Sequence, residues 1–381
     1  MKTEKYTVKN TAGMFNLLKG IAMLIVLKVH TNTLFPDVIF NRVNEKGLLI
    51  FDNLSIPSRI FLTLYYLIAC IIMPALFIIS GYGFRKTTFK KNISKQFKSL
   101  MIPYIVTMLL TSGLHLCTHF CLYRYFPGSV KETLKIFGGS LLGLPRTTTY
   151  GNITFFANGP NWFLMAMFIG MIVFNTLITY FDKIKLLVAV LIISTVGWLI
   201  SLGNTIPFCL SQGLVSVFYI YLGYYAKKSK LFTEGINIKK KTAYVILVIV
   251  PFLITTGYGC LMFMSDSKYS LGMISILLSG LFALCFIYAF LLLNRFNGII
   301  SSSIRNVGQI SIYVLCIHTM ELLGFPYYHF AEKWNGGPMS GTILFWLIRA
   351  TVVLTLCFTF LKVKDIVLLK VSKKGEINTN V

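Results

Sequence analysis

Lys19 and His30 stand eleven residues apart in the first long apolar run of the chain, Phe15 to His30. At about 100° per residue this spacing brings both onto one helix face, about 16 Å apart along the axis. A charge in bilayer hydrocarbon costs about 2.5 kcal/mol or more, so such groups turn toward a cavity or a partner. One face of one helix would then carry a cation near its start and an imidazole, a proton acceptor at neutral pH, well inside the membrane. Lys28 lies about 200° from His30 and faces elsewhere. A second histidine, His318, precedes Glu321 by three residues, which makes the two neighbours on one helical face. A carboxylate beside an imidazole fixes its tautomer and raises its basicity. Glu321 can therefore serve His30, or pair with Lys28. His30 and Glu321 are the candidate catalytic residues. The plain alternatives are a buried histidine bonded to a neighbouring helix and a structural Glu321–Lys28 pair.

Between Arg85 and Lys98 lie six basic residues, Arg85, Lys86, Lys90, Lys91, Lys95 and Lys98, with no acid among them. Such a cluster suits a phosphate-rich anion, and it also suits lipid headgroups and the setting of topology. Asn158-Gly159-Pro160-Asn161-Trp162 opens a later apolar run, and a tryptophan there reads as an interfacial anchor or as part of a binding wall. His115, Cys117, His119 and Cys121 have the look of a metal cluster. On a helix, however, the histidines share one face and the cysteines lie about 200° away, so no metal is expected. No nucleophile elbow, Walker loop or H-E-x-x-H motif appears.

The elements that must hold these groups are membrane helices. Of 381 residues, 56% are hydrophobic and 13% charged, too apolar for a soluble domain. The expected fold is an all-α polytopic membrane protein of about ten transmembrane helices with both termini cytosolic. The apolar windows fall near 14–35, 60–83, 100–122, 160–180, 185–202, 207–226, 242–263, 271–293, 307–325 and 341–361. With that count the inner segments hold 24 of the 36 lysines and arginines and the outer segments 9. The net charge of +24 thus sits in short loops, and no nucleic-acid partner is expected. The first helix is expected to be retained rather than cleaved as a signal. Residues 1–365 would form the membrane domain and 366–381 a cytosolic tail. The eight cysteines form no C-x-x-C pair and read as free buried thiols. Two long outer segments, near 36–59 and 123–159, are candidates for function.

In order and placement these pieces resemble the integral-membrane acyltransferase-3 family, which includes O-acetyltransferases of bacterial surface polysaccharides, lipopolysaccharide and peptidoglycan. The resemblance rests on Lys19 to His30 within Leu18-Lys19-Gly20-Ile21-Ala22, and on Phe77-Ile78-Ile79-Ser80-Gly81-Tyr82. It rests also on Lys95 and Lys98 ahead of Pro103-Tyr104, on Trp162-Phe163-Leu164, and on Gly308, Ser311, Tyr313 and His318. Lysine stands at position 19 where the family commonly has arginine, so bidentate contact is lost there. Lys28 is not a feature expected of the family, and no soluble esterase-like domain follows the tenth span.

The resemblance implies acetyl-CoA as acyl donor on the cytosolic side, with Lys19, Arg85, Lys86, Lys95 and Lys98 holding its phosphates. It implies a glycan or lipid-linked sugar as hydroxyl acceptor, with Trp162, Asn161 and His318 as substrate-binding residues, and no metal. His30 would act as general base or as acyl relay, and Glu321 would orient the imidazole. A multi-pass protein of a bacterial plasma membrane is expected, and a homo-oligomer is left open. The alternative reading is a transporter of a glycan, an acyl group or a small anion that uses the same buried His, Lys and Glu as a relay.

Overall fold

The computed structural model describes residues 12–35, 37, 42–233, 245–246, 249–254, 258 and 262–378, with backbone alone beyond Val363. The first half holds α1 (Asn16–Asn32), α2 (Ile56–Tyr82), α3 (Phe89–Gln96), α4 (Ile102–Tyr123), α5 (Phe126–Leu141) and α6 (Trp162–Tyr180). The second holds α7 (Lys183–Ser201), α8 (Leu210–Lys228), α9 (Met273–Leu293), α10 (Ile299–Gln309), α11 (Ser311–Gly324), α12 (Tyr327–Ala331) and α13 (Pro338–Asn378). Two short antiparallel hairpins pair β1 (Thr148–Tyr150) with β2 (Ile153–Phe155), and β3 (Met262–Phe263) with β4 (Lys268–Tyr269).

The chain is an all-α polytopic membrane protein. Among the described residues seven helices are long and apolar enough to cross a bilayer, and the bent pair α10–α11 would make an eighth. Seven of the ten expected spans are these helices. The expected span 242–263 lies largely outside the described residues. The expected span 207–226 is the helix α8, which carries Ser211, Gln212, Lys227 and Lys228. Ser211 and Gln212 are buried where α2, α6 and α7 pack around it, while Lys227 and Lys228 lie in its last turn, where Lys228 is exposed. The expected span 307–325 is not one rod, since α10 and α11 meet at 77°. The long segment 123–159, read as a loop, folds into α5 against α4 and then into the β1–β2 hairpin.

Two crossings set the bundle. α2 meets α8 where glycine allows backbones to touch. A Cβ on Gly81 would lie 2.1 Å from the Ile220 carbonyl oxygen, and one on Gly223 would lie 1.9 Å from that of Ile78. α1 meets α10 in the same way, where a Cβ on Gly308 would lie 1.9 Å from the Asn16 carbonyl oxygen. The segment leading into α3 is tied to α6 by amides. Asn175 accepts from the Thr87 N–H at 3.2 Å and donates to the Thr87 carbonyl at 3.0 Å. Asn92 Nδ2 donates to the Met171 carbonyl at 3.2 Å. These bonds bury one side of α3 and leave Lys90, Lys91 and Lys95 exposed on the other.

Candidate active site

α1 carries Lys19 near its start and His30 in its last turn. At the His30 end α11 and α13 close in. α11 buries His318 and Glu321, and α13 buries Arg349 completely. His318 Nδ1 lies 2.6 Å from Glu321 Oε1. Arg349 Nη2 donates to Glu321 Oε1 at 2.9 Å, and its Nε reaches both carboxylate oxygens at 3.2 Å. Arg349 Nη1 donates at 3.2 Å to Thr31 Oγ1, one residue beyond His30. Its guanidinium also lies 5.1 Å from the centre of the Tyr327 ring. The arginine therefore joins α11 to α1 and balances the charge of Glu321.

The geometry fixes the His318 tautomer. An ionised carboxylate only accepts, so Nδ1 carries the hydrogen and the neutral ring keeps a lone pair on Nε2. That Nε2 is buried and has no hydrogen-bond partner among the described residues. Beside it stands His30, with ring centroids 5.4 Å apart and planes tilted by 56°.

His30 also lines a cavity of about 710 Å³. Its walls come from α1, α2, the start of α6 with Gly159 and Trp162, and the loops carrying Arg146 and Asp266. The approach to Trp162 is held from behind, where Tyr104 donates to the Ser140 carbonyl and Asn158 Nδ2 donates to Tyr104 at 3.2 Å. Pro103-Tyr104 and the Trp162 element thus meet in space. Trp162 is buried against this cavity rather than turned to lipid. Asn161 is buried beside it, and its Oδ1 has no hydrogen-bond partner among the described residues. At the far wall burial pushes the Asp266 carboxyl above its usual range, against the opposing pull of Lys268, a Ser265 hydrogen bond and Arg146.

Glu321 sits with His318 and Arg349, not with His30 or Lys28 as the sequence suggested. Lys28 donates to Asn32 Oδ1 at 2.6 Å, and Asn32 Nδ2 donates to Tyr65 at 2.6 Å. Arg349 was missed by motif reading, yet one signal pointed to it: it is the single basic residue inside the last apolar window. The basic residues gather elsewhere. Lys19 is half-buried at the opposite end of α1, and Arg85, Lys86, Lys95 and Lys98 are exposed around α3. Phe15 of the segment before α1 packs on Tyr82 at the end of α2, with centroids 5.2 Å apart, so both chain segments reach this end of the bundle.

His115 and His119 share a face of α4, while Cys117 and Cys121 are exposed. Among the described residues no three His, Cys, Asp or Glu side chains converge as metal ligands. Cys260 lies outside the described residues, and the other seven cysteines form no disulfide among the described residues.

Residues 14–362 match a family model described as an acyltransferase domain. No curated protein and no solved structure matches the chain.

Proposed function

This chain belongs to the acyltransferase-3 family and is a multi-pass membrane acyltransferase, and from there we propose that it moves an acetyl group from acetyl-CoA to a hydroxyl of a surface glycan or lipid-linked sugar. The observation that carries this reading is His30 on a cavity wall, backed by the His318–Glu321–Arg349 cluster. An acceptor hydroxyl is a weak nucleophile at neutral pH and needs a positioned base. The acceptor lies in the cavity against Trp162, with its hydroxyl at His30. His30 takes the hydroxyl proton as the oxygen attacks the thioester carbonyl. The tetrahedral intermediate collapses, the C–S bond breaks, and the CoA sulfur leaves with the proton.

His318 acts as a positioning residue. Its bare Nε2 beside His30 can receive the proton, and Glu321 stabilises the imidazolium that results. Arg349 keeps Glu321 ionised and in place. Lys19, Arg85, Lys86, Lys95 and Lys98 hold the CoA phosphates at the other end of α1, which faces the cytosol, and the pantetheine arm runs inward toward His30. A second route passes the acetyl group through His30 itself. An acetylated protein formed from acetyl-CoA without acceptor, and cleaved by hydroxylamine, would identify that route.

The test is CoA release from acetyl-CoA by the purified protein in nanodiscs, wild type beside His30→Ala. The variant is expected to keep its melting temperature and to lose turnover by about 10²–10⁴-fold. Undiminished CoA release would remove His30 from the chemistry.

A further inference from the structure

α4 turns His115 and His119 toward α5. His115 Nδ1 lies 2.8 Å from Thr133 Oγ1, and His119 Nδ1 lies 2.9 Å from Ser129 Oγ. The Ser129 hydroxyl gives its own hydrogen to the Tyr125 carbonyl at 2.9 Å, so toward His119 it can only accept. His119 therefore carries its hydrogen on Nδ1, and the neutral ring offers Nε2 as an acceptor. The two rings, with centroids 5.3 Å apart, line a separate cavity of about 450 Å³.

The rest of that cavity has a consistent chemistry. Tyr123 and Tyr328 line it with their hydroxyls joined at 2.9 Å, and Phe156 adds a third aromatic ring. Glu132 lines it too, with its carboxylate 2.6 Å from Lys135 Nζ, so the acid is charge-balanced. Aromatic faces with a few fixed polar groups and little net charge suit an uncharged, hydroxyl-rich ring. The C–H faces of such a ring pack on the aromatics, and its hydroxyls reach Nε2 and the carboxylate. The volume falls in the range of about 300–1,000 Å³ typical of small-molecule sites.

The position matters as much as the lining. Leu322 and Leu323, which follow Glu321 directly, line both this cavity and the one holding His30, and so do Thr147 and Ala157. The two spaces therefore adjoin along these four residues. We propose that the second cavity is an acceptor subsite that binds an uncharged sugar unit next along the chain from the unit presented to His30. This inference rests on the acyltransferase reading above and adds to it a preference for oligosaccharide over monosaccharide acceptors.

The experiment measures acetyl transfer by the full-length protein in nanodiscs free of maltoside detergent. The probes are glucose with maltotriose, and N-acetylglucosamine with its β-1,4 trimer. In at least one pair the trimer is expected to show a KM about tenfold below its monomer. His119→Ala and, separately, the exposed-site variant Tyr328→Ala are expected to bring the trimer's KM up to that of the monomer. No trimer advantage in either pair, or an advantage that survives both variants, overturns the subsite. Failure of the wild type to release CoA from acetyl-CoA would instead overturn the acyltransferase reading. The cavity is then read without turnover, by diethyl pyrocarbonate labelling mapped by mass spectrometry. Shielding of His115 and His119 by a trimer supports the subsite, and equal labelling with and without both trimers overturns it.

Discussion

The two ends of α1 handle charge in opposite ways. Around Lys19 and α3 the cations are exposed or half-buried, unpaired with acids among the described residues, and carried on a frame held by backbone contact and amide bonds. Around His30 the charges are sealed from solvent and satisfied by one another through Glu321 and Arg349. Exposed lysines keep their hydration and cost the fold little, so the basic end can exchange an anionic ligand without disturbing the bundle. The buried cluster has no solvent to fall back on, so each member is required by the others. In the proposed mechanism one end captures an anion reversibly and the other holds a fixed geometry.

The strongest way to break this contrast is to remove one member of the buried pair. Glu321→Ala leaves Arg349 uncompensated and is expected to cost about 3–5 kcal/mol of stability together with all transfer. The double variant Glu321→Leu with Arg349→Met is expected to regain most of the melting temperature while transfer stays absent. Recovered transfer would show that the cluster serves stability alone. At the other end the frame should be more sensitive than its charges. Gly81→Ala forces a methyl onto the Ile220 carbonyl and is expected to cost about 1–3 kcal/mol in thermal unfolding. Lys95→Ala with Lys98→Ala should leave the stability within about 0.5 kcal/mol of wild type. It should raise the KM for acetyl-CoA several-fold, by an amount that shrinks as salt is added. An unchanged KM at low salt would put the phosphates elsewhere.

The smallest effect concerns Asp266, whose carboxyl burial raises. A raised acid favours the fold below its unfolded value, about 3.9, and that contribution fades as pH climbs through the folded value. Asp266→Asn is therefore expected to be slightly more stable than wild type at pH 7, with the gap closing in acid. A gap that widens in acid would reverse the sign argued here.

Much of the site follows from helical period alone. His318 and Glu321 meet because they are three residues apart on one helix, and Lys19 and His30 share α1 at opposite ends. The partner of Glu321 was not legible in the same way. Arg349 lies on another helix, and only the general rule that a charge in an apolar span needs a partner pointed to it. Lys28 donates to Asn32 one turn away and lies 5.9 Å from the centre of the Tyr65 ring on α2, contacts that its spacing from Glu321 did not reveal. Hydropathy windows located seven of the expected spans but carry no direction, so the 77° turn between Gln309 and Ser311 was invisible to them. The same windows reported α8 as an ordinary span, although Ser211 and Gln212 survive there through enclosure by other helices. The Leu18-Lys19-Gly20 and Ser80-Gly81-Tyr82 segments carry the family resemblance, and their glycines also serve helix crossings. A Cβ on Gly20 would lie 2.0 Å from the Ile304 carbonyl oxygen.

The Glu321–Arg349 bond also bears on how the protein is made. The two residues are 28 positions apart. At about 5–20 residues per second the ribosome delivers the arginine about 1–6 s after the glutamate. During that interval α11 holds an acid without its counter-charge. When α13 enters the bilayer it carries a buried arginine, a charge that costs about 2.5–3.5 kcal/mol at the centre of an inserting helix. Each helix is thus a poor membrane span until the other arrives. Insertion of α13 and closure of the His318–Glu321–Arg349 cluster then become one event in biosynthesis, and a nascent chain stalled before Arg349 would present quality control with an unneutralised carboxylate.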